Sequence, residues 1–527
     1  MTMKTMADSP GETRSRNTGF LELTPRSAYY ILAGFLALLL IAFSALDYVA
    51  PSGRHLSTIA GVDKANYFNT THSLLFDHDF NLTNEYTRIR PEDPQWTGIR
   101  PETGLPGSPW GIGYSILEIP FLAVGTMVDA AAGNPADGYA QFARFFYAIG
   151  NVFFGGFGLM ALFTLLHRAS TSWGVESGKA VRYSLFITFA IFFGSNVGYY
   201  TFSQIAHAAT FWFSCMFVAH WWNIRFTNTL RSWFVLGLLG GFLSICRWQD
   251  VVYIGGPFLF DLAGKEWLKN PIPWLRARSL YCVGVLLCWI PQMIQWKVIY
   301  GKYLTIPQGG GIFYFPPAFM LHVLLSSRNG WFVWTPLILV GVTGVAFALR
   351  KHAREFFPWI VVAVLELAVI GSMNVWHGMD SFSARYMLSA TPLVALGLAA
   401  LLCESPKLVA RSVVALAIPC CIFALLFAAQ FRLDLIPKNE TLTAKEIFGD
   451  KLHLLQVRRQ KQTAVRATNL IQEGKATDAI QMLERVETMG EDRDVLRALT
   501  DAYKASGRTA DAEDAEARLK RLLDKRL

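Results

Sequence analysis

Apolar positions in this chain come in long unbroken runs, not in the alternation of a strand or the stripe of a soluble helix. The first run, residues 28–46 (AYYILAGFLALLLIAFSAL), carries no charge. As a helix it is long enough to cross a hydrocarbon core of roughly 30 Å. No small-residue cleavage site follows it, so it reads as a retained anchor. Further runs lie at 143–166, 183–199, 206–224, 233–246, 251–264, 280–300, 332–349, 357–375, 387–403 and 412–430. Together they predict an all-α, polytopic membrane protein with about eleven transmembrane helices.

The polar intervals orient these spans. Lys and Arg gather at the N-terminus (Lys4, Arg14, Arg16, Arg26) and in the loops Arg168 to Arg182, Arg225 to Arg231, Lys265 to Arg278, Arg350 to Arg354 and Lys407 to Arg411. The positive-inside rule makes all of these cytoplasmic. One further apolar stretch, 112–131 (IGYSILEIPFLAVGTMVDAA), breaks the parity if it also crosses. It contains Glu118 and Pro120, and a charge at the bilayer centre costs about 2.5–3.5 kcal/mol on insertion scales. A helix lying on the outer face fits better. The expected organisation is a cytoplasmic tail (1–27), a membrane domain (28–430) with a large outer segment (47–142), a linker (431–460) and a helical tail (461–527). The N-terminus is then cytoplasmic and the C-terminal segment periplasmic.

Composition agrees with this class: 53% of residues are hydrophobic and 17% charged, too apolar for a soluble enzyme. The net charge of +9 is explained by the basic loops and does not call for nucleic acid. All seven cysteines fall within or at the ends of apolar segments, a spacing that suggests packing residues and neither a disulfide framework nor a metal quartet.

The outer segment carries the candidate chemistry. Residues 67–86 (YFNTTHSLLFDHDFNLTNEY) follow Asp63 and bring Asp77, Asp79 and Glu85. Four other loops reach the same face: those around His207, around Arg247, from 300 to 331 with Arg328, and from 376 to 386 with His377 and Arg385. Carboxylates, Arg and His collected on one membrane face suit an anionic lipid-linked substrate.

The stretches VDKANYFNTTHSLLFDHDFNLTNEY, PWGIGYSILEIPFLAVG, QIAHAATFWFSCMFVA, RWQDV, SSRNGWFVWTPL and WHGMDSFSARYMLSATPLVALGLA together resemble the bacterial membrane glycosyltransferases of the GT-C superfamily. More closely, they resemble the branch related to the protein O-mannosyltransferases and the aminoarabinose transferase of lipid A. The resemblance spans roughly residues 28–430 and rests on the order of the motifs. It implies inverting transfer of a sugar from a polyprenyl-phosphate donor to an envelope glycan, lipid or protein at the periplasmic face of a bacterial inner membrane. The family's early Asp, its general base, falls on Asp63, and deprotonation of an acceptor hydroxyl is worth about 10² to 10⁴ in rate. Arg328 and Arg385, then Arg247, are the candidates to hold the departing phosphate. Substrate-binding roles are expected for Asp77, Asp79, Glu85, His207 and His377. Two departures stand out: Asp63 is followed by Lys64 where many relatives carry a second acid, and Ser203, Gln204 and His207 stand where better-known members place another Asp. A divalent cation is therefore an open question. Two other readings remain, a lipid or sugar transporter and a membrane scaffold, although no inverted repeat supports the first and the second leaves the outer segment unexplained.

The last hundred residues change character. EGKATDAIQML at 473 and SGRTADAEDAE at 506 align Gly474 with Gly507, a spacing of 33 close to the tetratricopeptide period. The tail is expected to form about one and a half such units, docked on the membrane domain or on a protein partner, with a generic charged helical hairpin as the other reading.

Overall fold

The computed structural model describes residues 23–50, 55–89, 98–203 and 205–524. Lys4, Arg14, Arg16 and Gln204 lie outside the described residues. Among those described the regular elements are helical, and β structure is limited to two isolated bridges, Ile99 with Pro106 and Phe313 with Met373.

The first half contains α1 (Pro25–Val49), α2 (Val62–His72), α3 (Thr83–Ile89), α4 (Ile112–Ala131), α5 (Gln141–Ser172), α6 (Ser177–Gly194), α7 (Val197–Thr201), α8 (His207–Thr227) and α9 (Leu230–Cys246). A 3-10 segment, Trp248–Gly255, leads into α10 (Gly256–Gly264), followed by α11 (Glu266–Lys269), α12 (Pro271–Tyr300), α13 (Met320–Leu325) and α14 (Trp331–Trp334). Then come α15 (Leu337–Gly371), the 3-10 segment Arg385–Ala390, α16 (Thr391–Glu404) and α17 (Lys407–Arg432). The tail is α18 (Leu454–Gln472), α19 (Ala476–Glu487), α20 (Arg493–Ala505) and α21 (Thr509–Asp524).

Among the described residues, six segments are long and apolar enough to cross a membrane: α1, α4, α5, α12, Arg385–Glu404 and α17. Leu38 and Ile41 on α1, Leu286 on α12, and Ile418 and Ile422 on α17 point outward and are exposed. Water would select against such faces, whereas lipid favours them. The protein is a multi-pass membrane protein.

Three expected spans take a different form. The stretch 251–264 is α-helical only over Gly256–Gly264, because Trp248–Gly255 winds as a 3-10 helix with a rise of about 2.0 Å per residue. The spans 332–349 and 357–375 join in one helical run, α15, which leaves helical geometry at His352 (φ −122, ψ 31). Gly341 meets Val394 and Gly344 meets Gly397, so the first half of α15 runs parallel to α16. His352 bonds Glu404 and Glu366 bonds Ser389, so the second half runs back antiparallel.

Helix α4 packs its N-terminal part on α2, where Ser115 Oγ donates to the Tyr67 carbonyl (3.0 Å). Gly111, its N-cap, sits on the carbonyls of Ile245 and Cys246 at the end of α9. At the other end Asp129 accepts from the Ala143 amide (2.7 Å) in the first turn of α5, and the loop beyond, at Asp137, bonds His72 of α2 (2.9 Å). Glu118 faces Gly150 and Gly125 faces Phe142, so α4 lines only the first half of α5. The second half of α5 pairs with α8 and with the start of α1, where Tyr29 bonds Thr164 (2.7 Å).

The interval expected as a linker is packed. Ile436, Leu442 and Ile447 are buried, and Lys451 bonds Gln430 (2.8 Å) with its ammonium 3.6 Å from the Phe427 ring centroid. Helix α18 starts at Leu454, earlier than the expected 461. Buried apolar side chains at Leu442 and Ile447 are the physical reason: they hold this stretch on the end of α17. Helices α18 to α21 bury their own core around Ala467, Leu483, Leu499 and Ala512. Gly474 and Gly507 both have φ +78, so the sequence echo corresponds to the same left-handed turn before α19 and α21.

Candidate active site

Asp63 enters through backbone economy. Gly61 (φ 82) turns the chain as the N-cap of α2, placing Asp63 in the first turn of that helix, where the macrodipole favours an anion. Its Oδ2 accepts from Arg385 Nη1 at 2.6 Å and its Oδ1 from the Trp110 indole at 3.0 Å. Burial by itself raises the Asp63 carboxyl, but the Arg385 and Arg247 charges and the Trp110 bond hold it below the usual carboxylate range.

The two arginines arrive at the starts of the two 3-10 segments. Arg385 opens Arg385–Ala390, and Arg247 caps Trp248–Gly255. Each guanidinium stands 5.1 Å from the Tyr386 ring centroid, and Arg247 Nη1 lies 3.3 Å from the Tyr67 hydroxyl. Tyr386 is thus flanked by both cations. His207 begins α8, with its ring 4.9 Å from that of Tyr200 and 6.1 Å from that of Tyr386; its Nε2 is buried without a hydrogen-bond partner.

The rim is a strained loop. Gly378 (φ 68), Met379 (φ 58), Ser383 (φ 56) and Asn329 (φ 62) all take left-handed backbone, a clustering that marks functional sites. A Cβ on Gly378 would stand 2.8 Å from Arg385 Nε, so only glycine lets that side chain pass. Asn329 donates to the carbonyls of His377 (2.6 Å) and Met379 (3.3 Å). His377 lies at this rim, half-buried, and burial together with Arg328 and Arg385 pushes it down to about 4. It is therefore a neutral imidazole at pH 7. Arg328, next to Asn329, is half-buried as well.

Of the nine residues expected from sequence, Asp63, Arg247, Arg385 and His207 converge, with Arg328 and His377 on the adjoining rim. Asp77 and Glu85 do not join them. They gather with His72 at the far end of α2, roughly 14 Å along the axis at 1.5 Å per residue. There His72 Nδ1 lies 3.0 Å from Glu85 Oε1, and Asn84 donates to both Asp77 (2.9 Å) and Glu85 (3.1 Å). One ligand atom from each of His72, Asp77 and Glu85 falls within 4.8 Å of the others, a donor set of the kind that holds a divalent cation. Asp79 does neither: its Oδ1 accepts from Ser73 Oγ (2.9 Å) and the Asn81 amide (2.9 Å), as a turn residue does. Sequence reasoning missed Trp110, Tyr67, Tyr200 and Tyr386. Tyr386 was open to it, since an aromatic next to Arg385 was available to flank a guanidinium.

A bundle of membrane helices with a carboxylate–arginine cluster at one end defines a multi-pass, all-α membrane protein. No protein-family model matches the chain, and no curated protein matches it. Among solved structures, ArnT from Cupriavidus metallidurans bound to undecaprenyl phosphate is similar at TM-score 0.50 and 12% identity, covering 93% of this chain and 78% of that chain. The apo state of the same protein gives TM-score 0.49 and 12% identity over 93% and 77%. The chain thus shares the fold of that protein.

Proposed function

We propose that this protein is a membrane glycosyltransferase that moves a sugar from a polyprenyl-phosphate donor to an envelope acceptor at the periplasmic face of a bacterial inner membrane, with inversion at the anomeric carbon. The observation that carries this reading is the meeting of Asp63 with Arg385 and Arg247, one candidate base against two phosphate-binding side chains. The similar solved structure contains undecaprenyl phosphate, which supports a lipid phosphate as the ligand class. In this reading the basic loops are cytoplasmic and α4 lies along the outer face.

Both oxygens of Asp63 are occupied by donors in the substrate-free arrangement. A carboxylate so held is a poor base. The donor's phosphodiester competes for Arg385, because its two unesterified oxygens offer the same kind of bidentate acceptor as a carboxylate. As Arg385 turns to the phosphate, Asp63 loses its strongest cation and becomes basic enough to take the acceptor hydroxyl's proton. Arg247 and Arg385 then neutralise the charge that builds on the leaving phosphate. Substrate binding itself arms the base.

The test is a mass profile of envelope glycans from a strain lacking this gene, complemented with wild type or Asp63→Asn. A sugar-sized mass lost in the deletion and restored only by wild type identifies the product class and the base. An unchanged glycan profile at equal protein level would sink the transferase reading.

A further inference from the structure

Behind the active site lies a second cluster that the proposed chemistry does not use. Asp250, Glu366, Ser389 and Tyr253 are all buried. Ser389 Oγ stands 2.7 Å from Asp250 Oδ1 and 2.5 Å from Glu366 Oε1, and the Tyr253 hydroxyl stands 3.2 Å from Glu366 Oε2. These atoms come from the two 3-10 segments and from the returning half of α15.

Hydrogen-bond counting fixes how the cluster works. A serine hydroxyl has one proton and donates once. Its two short contacts to carboxyl oxygens therefore need one additional proton on a carboxyl. That proton sits on Asp250 Oδ1 or Glu366 Oε1; the carboxyl that carries it donates to Ser389, and Ser389 donates to the other. The Tyr253 hydroxyl donates to Glu366 Oε2, the oxygen Ser389 does not use. Asp250 Oδ2 is buried without a partner, so the bond through Ser389 is what holds this carboxyl in place. The relay joins Asp250, Ser389 and Glu366, with Tyr253 closing it.

The relay also ties together the segments that carry the two arginines. Asp250 lies three residues after Arg247 and Ser389 four after Arg385, about one turn of 3-10 helix in each case. We propose that the Asp250–Ser389–Glu366 relay is a positioning device that sets the separation of Arg247 and Arg385 for a lipid phosphate. This rests on the reading of the site given above. A covalent framework cannot set that separation, since the two arginines are far apart in sequence; this side-chain bridge ties their segments on one side, and the Tyr386 ring, which both guanidinium groups flank, ties them on the other.

The experiment measures undecaprenyl phosphate binding to the full-length protein in lipid nanodiscs, with thermal unfolding as the fold control. Ser389→Ala and Asp250→Ala are expected to weaken binding about tenfold, the scale of losing one hydrogen bond to a charged group, with little change in melting. Asp250→Asn keeps a hydrogen-bonding amide toward Ser389 and is expected to rescue affinity. In an Arg385→Ala background, Ser389→Ala is expected to add nothing, because it acts through that arginine. Unchanged affinity in both alanine variants, or full additivity with Arg385→Ala, would overturn the positioning role. Should Ser389→Ala fail to fold, the contrast between Asp250→Asn and Asp250→Ala decides the matter. A wild-type protein that does not bind undecaprenyl phosphate would overturn the reading of the site, and this inference with it.

Discussion

Arg385 Nη1 and Asp63 Oδ2 lie 2.6 Å apart although 322 residues separate them. The pair joins the outer segment to the last third of the membrane domain, so the site exists only when the whole bundle is assembled. Asp63→Asn is expected to cut transfer by ~10² to 10⁴ while the protein still purifies as a single species. Because Asp63 is held ionised below the usual carboxylate range, loss of rate between pH 7 and pH 5 does not arise from it in the free enzyme. A kcat/KM profile of the wild type with an Asp63-dependent limb in that interval would contradict this.

His377 gives a pH dependence of stability with a definite sign. Burial and the nearby arginines depress it from its ordinary value, 6.5, to about 4. Its neutral form is favoured in the fold, so its stabilising contribution is fully present above pH 6.5 and fades as pH falls toward 4. Thermal unfolding scans from pH 7.5 to 4.5 are expected to show a steeper decline for wild type than for His377→Gln. Parallel curves would show that this imidazole titrates alike in both states.

The all-helical membrane class and the positions of the long apolar helices were legible in the sequence because lipid solvent imposes long apolar runs that survive any tertiary detail. The halves of α15 were legible as spans, but their fusion through His352 was not, since a kink leaves no hydropathy signal. At the site, Asp63 could be found because the resemblance puts an early Asp at that position, and Arg385 because a charge beside an apolar run is costly unless used. Asp77 and Glu85 were grouped with Asp63 on shared charge alone; the direction of α2 carries them to its far end, beside His72. The relay on Ser389 was invisible, because its members are spread over 140 residues and each reads as a single polar position within an apolar stretch.

Arg493 holds the tail to the membrane domain. It is 1% exposed and donates to Glu440 (3.0 Å) and Glu446 (2.6 Å). Removing one member of a buried pair leaves the other charge uncompensated, typically at a cost of 3–5 kcal/mol. Arg493→Ala is expected to loosen residues 433–453, read as new protease cleavage in that interval with the membrane bundle intact. A cleavage pattern identical to wild type would show that apolar packing of Leu442 and Ile447 suffices.

Gly397 tests the packing that places Ser389 and Arg385. Helix α16 approaches the first half of α15 closely enough that a Cβ on Gly397 would stand 2.1 Å from the Gly341 carbonyl oxygen and 2.6 Å from the Val345 amide nitrogen. Both are backbone atoms, so no side chain can turn aside to make room. Membrane helices associate through such small-residue contacts because lipid supplies no hydrophobic drive between them. Gly397→Ala therefore forces the helices apart, at a cost of about 1–3 kcal/mol for overpacking. Helix α16 is continuous with the 3-10 segment that carries Arg385, so the displacement reaches the site. The expected result is a lower melting temperature together with weaker undecaprenyl phosphate binding. A variant that melts lower yet binds as wild type would show that the 3-10 segment is held by its own side-chain bonds, independently of the helix behind it.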